Sequence, residues 1–211
     1  MERRLKIIKL DTVDSTNKYA WRLAEKGERE LTVVTARAQN KGYGRRGRPW
    51  QSPKDKGVYV SFVLRPQNSL EQICLLPLIF SLGVVRIFKD VLPLKIKWPN
   101  DVIAGDKKIA GCLVEACSRN NKVDFVIAGI GINIGTLQQD LPALATSVYL
   151  ETAKSYPIDE VLKKLIKEVI TLYEQFKTAD IKPLLDEIYL YQKEKFNLKD
   201  KDLTEAIEVT A

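Results

Sequence analysis

No histidine occurs in the 211-residue chain. That absence excludes Ser-His-Asp and Cys-His catalysis, histidine general-base chemistry and nearly all catalytic zinc sites. The three cysteines, Cys74, Cys112 and Cys117, are odd in number and form no C-x-x-C pair. A disulfide framework or a zinc site therefore has no support, and reduced core thiols are expected. Long apolar runs are missing too, since the stretch from Cys74 to Val85 falls well short of the roughly 20 residues that cross a bilayer. The first residues, Met-Glu-Arg-Arg-Leu-Lys, lack the apolar segment of a secretory signal, so a cytoplasmic protein without a membrane anchor is the expectation. Internal repeats and low-complexity tracts are also lacking, and 45% hydrophobic with 29% charged residues is the composition of an ordinary folded domain. Any catalysis must use carboxylates, lysine, arginine, backbone amides or a hard metal ion.

What the chain does have is unevenly placed positive charge. Residues 1–60 carry 15 Lys/Arg against 7 Asp/Glu, whereas the remaining 151 carry 19 against 20. The N-terminal third is thus the part that meets an anion: nucleic acid, a phosphate-bearing small molecule or an acidic protein surface. The same third has clear element signals. Leu5 to Leu10 reads as a strand, Asp14-Ser15-Thr16-Asn17 offers N-caps for a helix through Ala24 to Gly27, and Leu31 to Ala38 and Gly57 to Leu64 read as strands. Leu70 to Val91 predicts one buried helix, with Pro77 kinking it or ending its first turn. Leu94 to Trp98, Ile109 to Ala116 and Val123 to Ile134 predict antiparallel strands joined by short turns at Pro99-Asn100-Asp101, Gly105-Asp106-Lys107 and residues 118–121. Ile158, Val161, Leu162, Leu165, Ile166, Val169, Ile170, Tyr173 and Phe176 recur at helical spacing, and a shorter helix follows from Ile181 to about Gln192. Strands before and between helices predict an α+β or mixed α/β architecture around one main sheet.

Chemistry concentrates in the segment Gln39-Asn40-Lys41-Gly42-Tyr43-Gly44-Arg45-Arg46-Gly47-Arg48-Pro49-Trp50. Its glycines let backbone amides approach a ligand, its arginines suit carboxylate and phosphate, and Trp50 offers a face for a base. Alone, such a loop binds nucleic-acid backbone as readily as a small anion. Two further segments tip the balance: Lys97-Trp98-Pro99-Asn100-Asp101 at the end of a strand, and Lys108-Ile109-Ala110-Gly111 seven residues on.

With Asp14-Ser15-Thr16-Asn17, a run leading from Gly111 to Glu115, and Gly129-Ile130-Gly131-Ile132-Asn133, these elements resemble, in order and spacing, the catalytic domain of biotin protein ligases over roughly residues 7–190. The resemblance implies an α+β fold with a mixed sheet flanked by helices, related to class II aminoacyl-tRNA synthetases. It also implies a reaction in which biotin and ATP give biotinyl-5'-AMP, followed by transfer to a lysine of a biotin carboxyl carrier protein, with Mg²⁺ accompanying the ATP. Ser15, Thr16, Asn17 and Gln39 match positions at the biotin ring, Gly42 and Tyr43 the loop that closes over it, and Gly111 a position beside it. Arg45, Arg46, Arg48, Trp50, Asn100 and Asn133 match the adenylate side. Lys108 matches the lysine on the carboxylate and phosphoryl oxygens, and with Arg45 and Asp101, the latter orienting the incoming lysine, it forms the expected catalytic set. Its neighbour Lys107 should be excluded, because adjacent strand residues face opposite sides. No resident metal ligands are assigned.

Tyr43 stands where many relatives carry arginine, which bears on how the loop closes. The match begins almost at Met1, so a monofunctional type without an N-terminal DNA-binding domain, and no specific DNA partner, is expected. Residues 191–211 are expected as a short segment standing for a reduced or truncated C-terminal β domain. A homodimer is compatible with the resemblance. Lipoate-type ligases of the same fold are the nearest alternative, and a nucleic-acid-binding module is the alternative of a different class.

Overall fold

The computed structural model describes residues 5–119, 122–178, 180–194, 198 and 202–210. β1 (Lys6–Val13) leads through α1 (Thr16–Glu25) into β2 (Thr32–Gln39), which pairs with it in parallel. α1 starts where it does because Ser15 takes the N-cap and its hydroxyl accepts from the Lys18 amide. From there the sheet is antiparallel: β3 (Gly57–Leu64), β7 (Lys122–Asn133), β6 (Lys107–Arg119), β5 (Asp101–Ala104) and β4 (Leu94–Lys97) follow β2 in that spatial order. A further strand, β8 (Ile207–Thr210), pairs in parallel with Val114–Cys117 of β6. Ile207–Thr210, within the segment read from sequence as a reduced or truncated C-terminal β domain, thus adds a strand to the main sheet.

Each face of the sheet is covered differently, and this difference makes the site. On one face Val58, Val60, Phe62 and Leu64 of β3 and Val126, Ala128, Ile130 and Ile132 of β7 pack in a single apolar core. That core also holds α3 (Leu76–Phe88) and α5 (Ile158–Phe176). On the other face α1 covers only a smaller cluster, with Ala20 and Ala24 against Val34, Val63, Phe125 and Ile127. Alternate strand residues beyond the reach of α1 are left to line a cavity.

The long helix expected over Leu70 to Val91 is two helices: α2 (Leu70–Ile73), opened by a capping box between Ser69 and Gln72, and α3, whose first turn contains Pro77. Proline lacks the amide proton that a continuous helix needs at this point, and it fits the start of a new one. Together, Leu70–Phe88 has the length and apolarity of a membrane span, but 72% of that stretch is buried inside the fold, as a core helix is. α5 follows its predicted bounds and buries Val161, Leu162, Leu165, Ile166, Val169, Leu172, Tyr173 and Phe176. Two short elements complete the chain order, α4 (Val148–Thr152) and α6 (Lys182–Leu190). Because Leu165 is fully buried in the larger core, Leu165→Ala is expected to lower unfolding free energy by about 2–5 kcal/mol, read from urea denaturation. A cost below about 1 kcal/mol, the range of exposed positions, would show that α5 is not packed as described.

Candidate functional site

A cavity of about 510 Å³ opens on the face that α1 leaves uncovered. Ser15, Thr16, Asn17, Gln39, Tyr43, Arg45, Arg46, Arg48, Trp50, Asn100, Asp101, Lys108 and Gly111 all line it, although they come from six different stretches of chain. Gly42 and Asn133 are not among the lining residues.

Two glycines of β7 create the space. A Cβ on Gly129 would sit 2.1 Å from Asn17 Oδ1, and one on Gly131 would sit 2.5 Å from the Trp50 indole. The alternation Gly129-Ile130-Gly131 thus sends isoleucine into the core and leaves bare backbone under Asn17 and Trp50. Gly42, although outside the cavity wall, is needed for a similar reason: its Cβ would meet the Trp50 carbonyl at 2.7 Å and Ser52 Oγ at 2.8 Å.

At the α1 end the polar groups form a directed network. The Thr16 amide and hydroxyl both donate to Gln39 Oε1, at 2.8 and 3.1 Å. Gln39 Nε2 donates to Ser52 Oγ at 2.9 Å, and the Ser52 hydroxyl to the Trp50 carbonyl at 3.1 Å. The Ser61 hydroxyl lies 2.8 Å from Thr16 Oγ1 and 2.5 Å from Asn17 Oδ1, while Asn17 Nδ2 donates to Glu115 Oε2 at 2.6 Å. Burial is tolerated here because each group has a partner.

The opposite end is cationic. The Lys108 side chain crosses Gly111, where a Cβ would stand 3.1 Å from Nζ, and reaches Asp101 at 2.6 Å. Its ammonium also lies 5.2 Å from the Trp50 ring centroid. Lys107 is exposed and outside the cavity. The Lys108 backbone is held on both sides: its amide donates to the Leu144 carbonyl at 2.9 Å, and its carbonyl accepts from the Thr146 amide at 2.8 Å. Asn133 joins this bracket, donating from Nδ2 to the Thr146 carbonyl at 2.9 Å. Its amide is thereby committed to holding the segment 144–146 that fixes Lys108, one step removed from the cavity where the sequence reading had put it. The Asn100 amide is similarly engaged, donating to the Cys112 carbonyl at 2.7 Å.

The arginine loop is closed by its own backbone hydrogen bonds. Gly44 N donates to the Arg48 carbonyl at 2.8 Å and Trp50 N to the Gly42 carbonyl at 2.9 Å, closing a small hairpin with a 3-10 turn at Arg45–Gly47. Arg46 takes a left-handed φ of 56° there. The tip touches the C-terminal strand region, with the Arg45 guanidinium on the Glu205 carbonyl and Arg46 N donating to Glu208 Oε1 at 2.7 Å. Burial and the neighbouring Arg46 push the Arg45 guanidinium below its ordinary pKa, yet a guanidinium remains a cation at neutral pH.

Thiol chemistry has no place here, because burial pushes Cys112 beside the cavity up to about 12, leaving a neutral thiol at pH 7. Among the described residues no group of three His, Cys, Asp or Glu side chains could hold a metal ion.

Several participants had no role in the sequence reading. Glu115 follows Gly111 and Leu113 on one face of β6, and period-two alternation from Gly111 would have found it. Ser61 was signalled by being polar in an otherwise apolar strand. Glu205, which also lines the cavity, carried no local signal.

The model of the biotin/lipoate A/B protein ligase family matches residues 10–133. The chain is 32% identical over 180 residues to the bifunctional ligase/repressor BirA of Bacillus subtilis, covering 82% of this chain and 55% of that protein. It is 38% identical over 131 residues to a biotin–[acetyl-CoA-carboxylase] ligase of Paracoccus denitrificans, covering 59% of this chain and 53% of that one. The chain thus spans about half the length of these curated relatives. Its fold is similar to that of the biotin protein ligase from Aquifex aeolicus solved with biotin and ATP. The TM-score is 0.73 at 33% identity, over 89% of this chain and 78% of that one.

Proposed function

The chain belongs to the biotin/lipoate A/B protein ligase family, and from that premise we propose that it joins biotin to ATP, giving biotinyl-5'-AMP and pyrophosphate, and passes the biotinyl group to a lysine of a biotin carboxyl carrier protein. The observation that carries this reading is one cavity with an uncharged hydrogen-bonding end at Thr16 and Gln39 and a cationic end at Arg45 and Lys108. A ligand with a neutral polar ring at one end and a carboxylate at the other fits that polarity.

In the first step a biotin carboxylate oxygen attacks the α-phosphorus and pyrophosphate leaves. Two unit charges about 4 Å apart repel by roughly 4 kcal/mol at an effective dielectric constant near 20, so cations already held in the cavity lower this barrier. Arg45 and Lys108 supply them, and Lys108 exchanges its Asp101 partner for the ligand's oxygens. Arg46 and Arg48 lie on the nucleotide side, and Trp50 covers the adenylate. In the second step the carrier lysine amine attacks the acyl carbonyl and AMP leaves. Asp101, freed from Lys108, orients that amine and accepts its proton. Mg²⁺ would enter with the triphosphate, whose oxygens suit it, and would offset further negative charge. Asp101 is the cavity carboxylate nearest Lys108 that could face it. Residence in the cytoplasm is part of the same proposal.

The nucleic-acid alternative is weakened because Arg45, Arg46 and Arg48 of the N-terminal third line the cavity, and five other cations of that third have carboxylate partners. Lys6 meets Glu28, Lys9 meets Asp159, Arg22 meets Asp14, Arg37 meets Asp55 and Lys54 meets Asp11. Biotin-dependent exchange of labelled pyrophosphate into ATP tests the proposal directly. Exchange with biotin and none with lipoate or octanoate is expected, and exchange with lipoate instead would transfer the chain to the lipoate branch.

A further inference from the structure

Glu115 is a largely buried carboxylate with no ion-pair partner among the described residues, and the reaction steps above do not use it. It projects from β6 on the same face as Gly111 and Leu113, which line the cavity. Its partners come from two elements distant in sequence. Asn17 of α1 donates to Oε2 at 2.6 Å, and the Tyr43 hydroxyl of the ligand loop is 3.0 Å from Oε1 and 3.1 Å from Oε2. Charge-assisted hydrogen bonds of this kind are roughly twice as strong as neutral ones. Burial and the adjacent carboxylate also raise the Tyr43 pKa, so its hydroxyl stays a donor.

The consequences follow from direction. Burial raises the Glu115 pKa, while the hydrogen bonds from Asn17 and Tyr43 favour its ionised form; in that form Glu115 accepts only, and Asn17 turns its amide nitrogen toward it and its Oδ1 toward Ser61, whose hydroxyl lies 2.5 Å away. That orientation holds Asn17 on the bare backbone of Gly129. Tyr43 carries the same anchor into the loop. Its ring packs near the Lys18 ammonium at 5.4 Å, and its backbone bridges to Pro49 across the hairpin. One carboxylate therefore ties the base of the arginine loop to the α1 wall of the cavity, while the loop tip is held separately at Glu205 and Glu208.

We propose that Glu115 is a positioning residue, which through Tyr43 and Asn17 holds the loop base in register with the ring-binding end of the cavity, so that Arg45 is delivered to the carboxylate of a ligand seated there. This deepens the biotin reading and rests on it for the identity of that ligand. Tyr43 is the loop's half of the device.

The test is a double-mutant cycle with Glu115→Gln and Tyr43→Phe, both close to isosteric. In pyrophosphate exchange each single variant is expected to raise KM for biotin about tenfold, which is the factor that about 1.4 kcal/mol represents, with a smaller change in kcat. The double variant should cost little more than Glu115→Gln alone, since Tyr43→Phe removes a contact that Glu115→Gln already weakens. Effects that add, or that fall on kcat alone, would overturn the proposal. A ligand-free measurement separates it from the family reading: amide hydrogen exchange across residues 42–50 should speed up in both variants, with the unfolding midpoint and exchange in α5 unaltered. Unchanged exchange in that segment overturns the positioning role even if the wild-type protein proves inactive on biotin. Failure of wild-type pyrophosphate exchange beside accelerated loop exchange in both variants would overturn only the choice of ligand.

Discussion

Lys108→Ala is expected to reduce biotin-dependent pyrophosphate exchange by roughly 10²–10³, the loss that follows removal of one preorganised group facing developing charge. The geometry behind this is specific. Lys108 is bracketed at its backbone by Leu144 and Thr146, crosses Gly111 and ends between Asp101 and Trp50. Nothing in that path depends on the ammonium for folding, since its ion pair with Asp101 is partly open to solvent, with the two side chains 32% and 27% exposed, and pairs of that kind contribute little stability. The fold should persist, and so should weakened biotin binding through Thr16 and Gln39. Lys107→Ala, on the exposed side of β6, should retain wild-type exchange. Transfer from chemically made biotinyl-AMP separates the two half-reactions, and Lys108→Ala should lose less in transfer than in exchange. Near-normal exchange by Lys108→Ala would remove this lysine from the mechanism, and a loss in Lys107→Ala instead would mean that the two lysines have been assigned to the wrong sides of the strand.

Gly129→Ala and Gly131→Ala should each damage ligand binding severely, and in different ways. A methyl on Gly129 arrives 2.1 Å from Asn17 Oδ1, and one on Gly131 arrives 2.5 Å from the Trp50 ring. Real Cβ contacts are never so short, so the facing side chain must leave. Overpacking of this kind costs about 1–3 kcal/mol in stability. The larger effect is on function, because Asn17 gives up its contacts to Ser61 and Glu115, and Trp50 gives up its place beside Lys108. Gly129→Ala is expected to weaken biotin binding at least about tenfold, or by about 1.4 kcal/mol, and Gly131→Ala to act mainly on the KM for ATP. Gly135→Ala is the control, since its nearest atom would be Lys56 Cδ at 4.0 Å, an ordinary contact. Calorimetric titration beside urea denaturation distinguishes binding from stability. Wild-type affinities in both site variants would show that Asn17 and Trp50 do not form the cavity walls.

Much of this molecule is written locally. β3 runs over Gly57–Leu64, as its short apolar and β-branched run predicts, and α5 over Ile158–Phe176, as its helical periodicity predicts. The cap at Ser15 is equally local, being set by a hydroxyl three residues from the amide that it accepts. The candidate site segments could be read for a related reason: close backbone approach calls for glycine and anion binding for arginine or lysine, so residue type points to the kind of chemistry. That logic brought out Arg45, Trp50, Asp101 and Lys108, which do share one cavity.

What only the tertiary structure decided depends on distance along the chain. Asn133, read as a nucleotide contact, spends its amide on Thr146 and so braces Lys108 from behind. Glu115 gains its place from Asn17, 98 positions away, and Tyr43, 72 positions away. No local pattern specifies which of many side chains will meet it. The return of Ile207–Thr210 to the edge of β6 is likewise settled by what that segment packs against. By itself the sequence determined the elements and the chemical kinds of residue that the site required. The sheet decided which of them meet, because partners for buried hydrogen bonds are chosen by the whole fold, and period-two alternation only offers them a face.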